Sequence, residues 1–203
     1  MLQISTVTPD TLELLKRLQS MPELAETRLV GGTALAFHLG HRLSIDLDLF
    51  GKFDQEIITE TLNASAFEDF YVLHETKVIK QYLINQIKVD IVKYDKYQWL
   101  EDIVTDNQIR IAGLKDIAAM KIAAITNRGS KKDFIDMFFL LQIFGLKEIM
   151  EFYQTKYPDA GIFLAITSLA YFDDAEQQDM PQMLIPTDWG EVKRKIAAEI
   201  KQY

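Results

Sequence analysis

The sequence predicts an α+β protein, with a small mixed β-sheet and flanking helices first and a helical region after it. Two observations predict this. Residues 44–50 and 87–92 alternate apolar and polar side chains, the period-two pattern of strands. After Gly113 the apolar residues recur at helical spacing instead. The expected division is an α/β domain over 1–112 and a helical domain over 113–203 that closes a cleft against it.

The elements follow in order. Residues 9–20 read as a helix, with Leu12, Leu14, Leu15 and Leu18 on one face and Thr8 as N-cap. Arg28-Leu29-Val30 is a short strand running into Gly31-Gly32. Thr33 to Leu39 is a short helix stopped by Gly40. Residues 53–62 suggest another helix. The stretch 70–94 is rich in Val, Ile and Tyr, with Asn85-Gln86 as a hairpin turn, and 108–111 is one more strand. Helices are expected over 114–126, 131–144, 147–157, 161–171 and 189–200.

Composition excludes several functions. The chain has 203 residues, enough for one sizeable core or two small ones. Its net charge of −8 argues against a broad basic face for DNA or RNA, but not against a local phosphate grip. With no cysteine there is no disulfide, zinc–thiolate site or thiol nucleophile. No run approaches the ~18 apolar residues of a membrane span. The N-terminus lacks a basic region followed by an apolar stretch, so a cytoplasmic protein is expected.

The most informative stretch is Ser44-Ile45-Asp46-Leu47-Asp48-Leu49-Phe50. In a strand, Ile45, Leu47 and Leu49 point one way and Asp46 and Asp48 the other. A second strand places Ile87, Val89 and Ile91 on one face and Lys88 and Asp90 on the other. If the two strands are neighbours, three carboxylates converge. Two like charges ~4 Å apart repel by about 1 kcal/mol in water and about 4 at an effective dielectric near 20. A divalent cation removes that repulsion, and oxygen-only ligands select Mg²⁺ or Mn²⁺. A bare Asp-x-Asp is also the ordinary solvated face of a strand. Gly31-Gly32-Thr33, between a strand and a helix, lets backbone approach a phosphate and offers free N–H groups. A plain tight turn explains it equally well.

Together the strand, the Gly-Gly-Thr turn, the short helix and Asp-x-Asp resemble the nucleotidyltransferase superfamily, the DNA polymerase β-like fold. The string Gly31-Gly32-Thr33-Ala34-Leu35 through Arg42-Leu43-Ser44-Ile45-Asp46-Leu47-Asp48-Leu49-Phe50 resembles the AbiEii/AbiGii toxin family more narrowly. That resemblance implies a nucleoside triphosphate as substrate, with phosphates held at Gly31, Gly32, Thr33, Arg42 and Ser44. It implies metals on Asp46, Asp48 and Asp90, with Asp90 able to deprotonate an attacking hydroxyl. It also implies an RNA acceptor such as a tRNA end, a cognate antitoxin, and a toxin–antitoxin or abortive-infection role.

The helical half extends the match. Lys121 falls on the apolar stripe of Leu114, Ile117, Ala118, Ile122 and Ile125. It either snorkels to water or faces the cleft and binds a phosphate. Arg128, seven residues on, could reach a phosphate or an acceptor RNA. Ser130 with Asp133 fits a capping box. Asp136, ringed by apolar residues, needs a partner, and Lys121 or Arg128 is the natural one. Asp136 would orient Lys121 or contact the nucleotide. The family's Arg-Asp-x-x-Asp reads Lys132-Asp133-Phe134-Ile135-Asp136 here, and residues 169–176 resemble its shorter members. The segment 127–132, with Arg128, Lys131 and Lys132, is the best candidate for a phosphate-chain contact. His38 and His41 are expected to be exposed or hydrogen-bonded, and Trp99 and Trp189 to be core or interface anchors. Two alternatives share the motif: a nucleotidyltransferase for an antibiotic or metabolite hydroxyl, and a non-catalytic module that kept the fold.

Overall fold

Helix α1 (Pro9–Ser20) opens the computed structural model, which describes residues 1–203. Pro9 suits the first helical position, and the Thr8 hydroxyl accepts from the Thr11 amide. Strand β1 (Thr27–Val30) is buried throughout and leads directly into α2 (Gly31–Leu39), which ends at left-handed Gly40. After β2 (Leu47–Gly51) and α3 (Ile58–Ala64) come β3 (Phe70–Glu75), β4 (Ile79–Ile84) and β5 (Ile87–Lys93). The hairpin of β6 (Val104–Asp106) and β7 (Ile109–Ile111) completes the strands.

All seven strands form one mixed sheet, in the order β3-β4-β5-β2-β1-β7-β6. Strand β2 lies between antiparallel β1 and parallel β5, and β7 runs parallel to β1. Alternation then sorts the side chains. Leu29, Leu47, Leu49, Val89, Ile91 and Tyr82 share one fully buried face. The other face carries Val30, Asp48, Asp90 and Gln81 in one row, and Arg28, Phe50, Val92 and Ile79 in the next.

The helical half comprises α4 (Leu114–Asn127), α5 (Lys131–Leu140), α6 (Leu146–Lys156), α7 (Ile162–Leu169), α8 (Asp173–Glu176) and α9 (Trp189–Gln202). One cluster of 43 buried apolar residues runs through both halves. Trp189 packs edge-on against Phe134 and Phe172, tying α9 to α5. Trp99 is sandwiched between Arg28, 3.9 Å from its ring centre, and Lys156 at 4.5 Å. The buried Lys156 ammonium lies 2.5 Å from Asp116, whose carboxylate also accepts the Leu100 and Glu101 amides. These bonds fix the loop between β5 and β6 to α4 and α6. No helix is long and apolar enough to cross a membrane.

Four expectations are corrected. The acidic strand starts at Leu47, not Ser44, so Ile45 is 58% exposed and Asp46 precedes the sheet. The lead-in is held by other partners: the Leu43 amide donates to Gln182 and the Ser44 amide to Thr6. Gly31 and Gly32 form the first turn of α2 rather than a turn before it. Helix α3 begins at Ile58, well inside the expected 53–62. Strand β6 was not foreseen, although its turn, Asn107-Gln108, repeats the Asn85-Gln86 dipeptide. Both turns have positive φ at both residues, as a type I′ hairpin requires.

Candidate active site

The site forms where β1 hands over to α2. Val30, Asp48 and Asp90 stand side by side on three adjacent strands. Burial raises the Asp48 carboxyl to about 6, and the neighbouring Asp90 adds to the rise. Asp90 Oδ2 accepts from Gln81 at 3.0 Å and Lys88 at 3.2 Å, while its Oδ1 is buried without a partner. Asp46 is exposed at the rim. No three acidic or histidine side chains lie close enough for a finished metal cage.

The two glycines are explained by these side chains. Gly31 has φ +70°, and a Cβ there would lie 2.2 Å from Asp48 Oδ2. At Gly32 a Cβ would meet the Arg42 guanidinium at 2.2 Å. Gly31→Ala should therefore cost at least about 1–2 kcal/mol in backbone strain and displace Asp48. Thermal melting should show the loss, and an unchanged melting temperature would contradict it. Thr33 is buried, and its hydroxyl bridges the Ser44 hydroxyl and the Asp46 carbonyl. These contacts brace the Asp46 loop.

Behind this turn lies a buried ion cluster. Asp136 accepts two hydrogen bonds from Arg42, at 2.7 and 2.9 Å, and sits 2.8 Å from His41 Nε2 and 2.6 Å from Lys121 Nζ. Lys121 also reaches Asp133 at 3.0 Å. Asp133 in turn holds Arg128, at 2.9 and 3.1 Å, and the Ser130 hydroxyl. Burial opposes charge throughout, yet the pairing outweighs it. Asp133 and Asp136 are pulled below the usual carboxylate range, and Lys121 and Arg42 are raised. Asp136 thus has Lys121 as expected, but Arg128 pairs with Asp133. The capping-box reading of Ser130 and Asp133 is also corrected. Ser130 gives its hydroxyl to the Asp133 carboxylate, and no side chain caps α5.

Of the three basic residues in 127–132, Lys131 is buried and donates to the Glu176 and Gln178 carbonyls, so it faces no phosphate. Arg128 keeps 67% of its side chain exposed and borders a cavity of about 420 Å³ with Asn127 and Tyr171. Arg42, Ser44, Asp46 and Lys132 border another, of about 410 Å³. His41, expected to be exposed or hydrogen-bonded, is fully buried on Asp136. His38 bonds the Ala112 carbonyl. His41's place in the cluster was not read from the sequence, where only its position next to Arg42 hinted at it.

The sheet order, the glycine turn at the end of β1 and the carboxylates across β2 and β5 define a nucleotidyltransferase fold. The family model described as nucleotidyl transferase AbiEii toxin, type IV TA system, matches residues 13–201, and the chain belongs to that family. It is 35% identical over 199 residues to the protein aq_aa25 of Aquifex aeolicus (strain VF5), covering 94% of each chain. Two solved structures share the fold. JHP933 of Helicobacter pylori superposes with a TM-score of 0.61 at 17% identity, over 97% of this chain and 92% of that one. The nucleotidyltransferase toxin MenT4 of Mycobacterium tuberculosis H37Rv gives 0.60 at 15% identity, over 94% and 81%.

Proposed function

We propose that this chain moves a nucleoside monophosphate from a nucleoside triphosphate to an acceptor hydroxyl, with Mg²⁺ or Mn²⁺ held by Asp46, Asp48 and Asp90. The observation that carries this reading is the in-register pair Asp48 and Asp90, with Asp48 against Gly31 and Asp90 Oδ1 buried and unpaired. A buried orphan oxygen next to a second carboxylate fits a hard divalent cation. In this reading Asp46, exposed at the rim, turns inward to complete the set. A bound cation would neutralise the carboxylates and polarise the phosphates.

The remaining work falls to the chain's own groups. The first amides of α2, at Gly31 and Gly32, offer donors to phosphate oxygens. Arg128 and Lys132 present exposed cations. Lys121, held by two aspartates, lends a fixed positive charge near Asp48 rather than a free contact. Asp90 accepts the acceptor's proton as its oxygen bonds to the α-phosphorus and pyrophosphate leaves. Family membership supports a toxin-like role with a cognate antitoxin as partner; the acceptor in this reading is an RNA such as a tRNA end.

Metal binding must strip the proton from Asp48. Affinity for Mg²⁺ or Mn²⁺ should thus be level above pH 6 and fall by about tenfold per pH unit below it. Calorimetric titration from pH 5 to 7.5 tests this. A flat profile, or equal affinity in Asp48→Asn, would count against the site.

A further inference from the structure

Helix α7 turns an apolar face to solvent. Ala165 and Leu169, four residues apart, are its buried side. The other side carries Phe163, 83% exposed, and Leu164, 57% exposed, with Thr167, Ala170 and Tyr171 further along and also at the surface. Single exposed apolar residues are ordinary, but a protruding phenylalanine grouped with a leucine and a tyrosine on one face marks a contact surface. The face borders the cavity of about 420 Å³, which Thr167, Ser168 and Tyr171 line together with Asn127 at the end of α4. It therefore offers a ridge with a recess beside it.

The charges around this face have one sign. From Tyr157 to Val192 the chain holds seven acidic residues and no lysine or arginine. Lys193 is taken by Glu176, and Arg128, which borders the cavity, is taken by Asp133. Asp159 before α7, and Asp173 and Asp174 beyond it, are exposed and enter none of the chain's salt bridges.

We infer that this face of α7 docks a partner protein through a basic amphipathic helix. Apolar side chains of that helix cover Phe163, Leu164 and Tyr171, and cations near its two ends meet Asp159 and the pair Asp173 and Asp174. The eight residues of α7 span roughly 12 Å, so those cations lie about two turns apart. A second copy of this chain does not fit, because face to face it sets the same unpaired acids against each other on chains of net charge −8. A nucleic acid is repelled by the same acids.

The test follows the anisotropy of a labelled synthetic helix of leucine and lysine, about 18 residues long so that it holds a helix, titrated with full-length protein. The peptide should bind, its leucine–glutamate counterpart should bind at least about tenfold more weakly, and added salt should weaken the complex. Phe163→Ser with Leu164→Ser should lower affinity about tenfold or more, and Asp173→Asn with Asp174→Asn about threefold or more. Both pairs lie at the surface, so the melting temperature should hold. Glu13→Gln with Glu56→Gln removes the same amount of charge elsewhere on the surface and should leave binding unchanged. Equal binding of the two peptides, no binding of either, unchanged affinity in the α7 variants, or an equal loss in the Glu13 and Glu56 variant would each overturn the inference. So would a dimer in sedimentation that Phe163→Ser with Leu164→Ser breaks. With no triphosphate or metal present, each outcome is independent of nucleotide transfer.

Discussion

Asp136→Ala should destabilise the fold by about 3–5 kcal/mol, because it leaves Arg42 and Lys121 buried with too few partners. Both cations sit within 3 Å of that carboxylate, and its side chain is fully buried. Denaturant unfolding gives the number directly. A loss under about 1 kcal/mol would mean that the cluster relaxes into solvent. The pH dependence has a definite sign. Asp133 and Asp136 are held below the usual carboxylate range in the fold, by Lys121 with Arg128 and Arg42. Their contribution is therefore complete above the unfolded value near 4 and lost as pH falls towards the lower folded values. Acid unfolding should begin with this cluster.

Asp48→Asn should act in the opposite direction on stability. The folded carboxyl titrates at about 6, above its unfolded value, so the fold loses stability as pH rises from about 4 to 6. Removing that charge should stabilise the metal-free protein by about 2–3 kcal/mol at neutral pH. The same substitution should abolish nucleotide transfer, since the two in-register carboxylates are where a cation would bind. Melting temperature and activity should thus move in opposite directions. A variant that loses both would mark Asp48 as structural.

Much of this arrangement was legible from local patterns. The alternation in 87–92 and in the second half of 44–50 placed Asp48 and Asp90 on one face, because side-chain period in a strand is a local property. Lys121 on an apolar stripe signalled a buried partner, and Asp136 was named as one. What escaped was set by distant segments. The hydrogen bonds from residues 43 and 44 to Gln182 and Thr6 take the start of the acidic strand out of the sheet. The choice of Asp133 over Asp136 by Arg128 depends on how α4 meets α5, which helical spacing does not encode. Asp133 read as a cap because Ser-x-x-Asp suits one locally, but tertiary packing placed two cations against it. Of the Asn107-Gln108 hairpin only β7 was legible; β6, three residues with no buried position, shows no alternation to read.

The proposed centre for nucleotide transfer is Asp48 and Asp90 with Asp46. It is tested most directly by incubating wild-type protein and Asp48→Asn with α-labelled triphosphates, Mg²⁺ and total RNA. Labelled RNA is expected from the wild type, and at least about a hundredfold less from a variant that melts higher. Equal labelling by both proteins would contradict it.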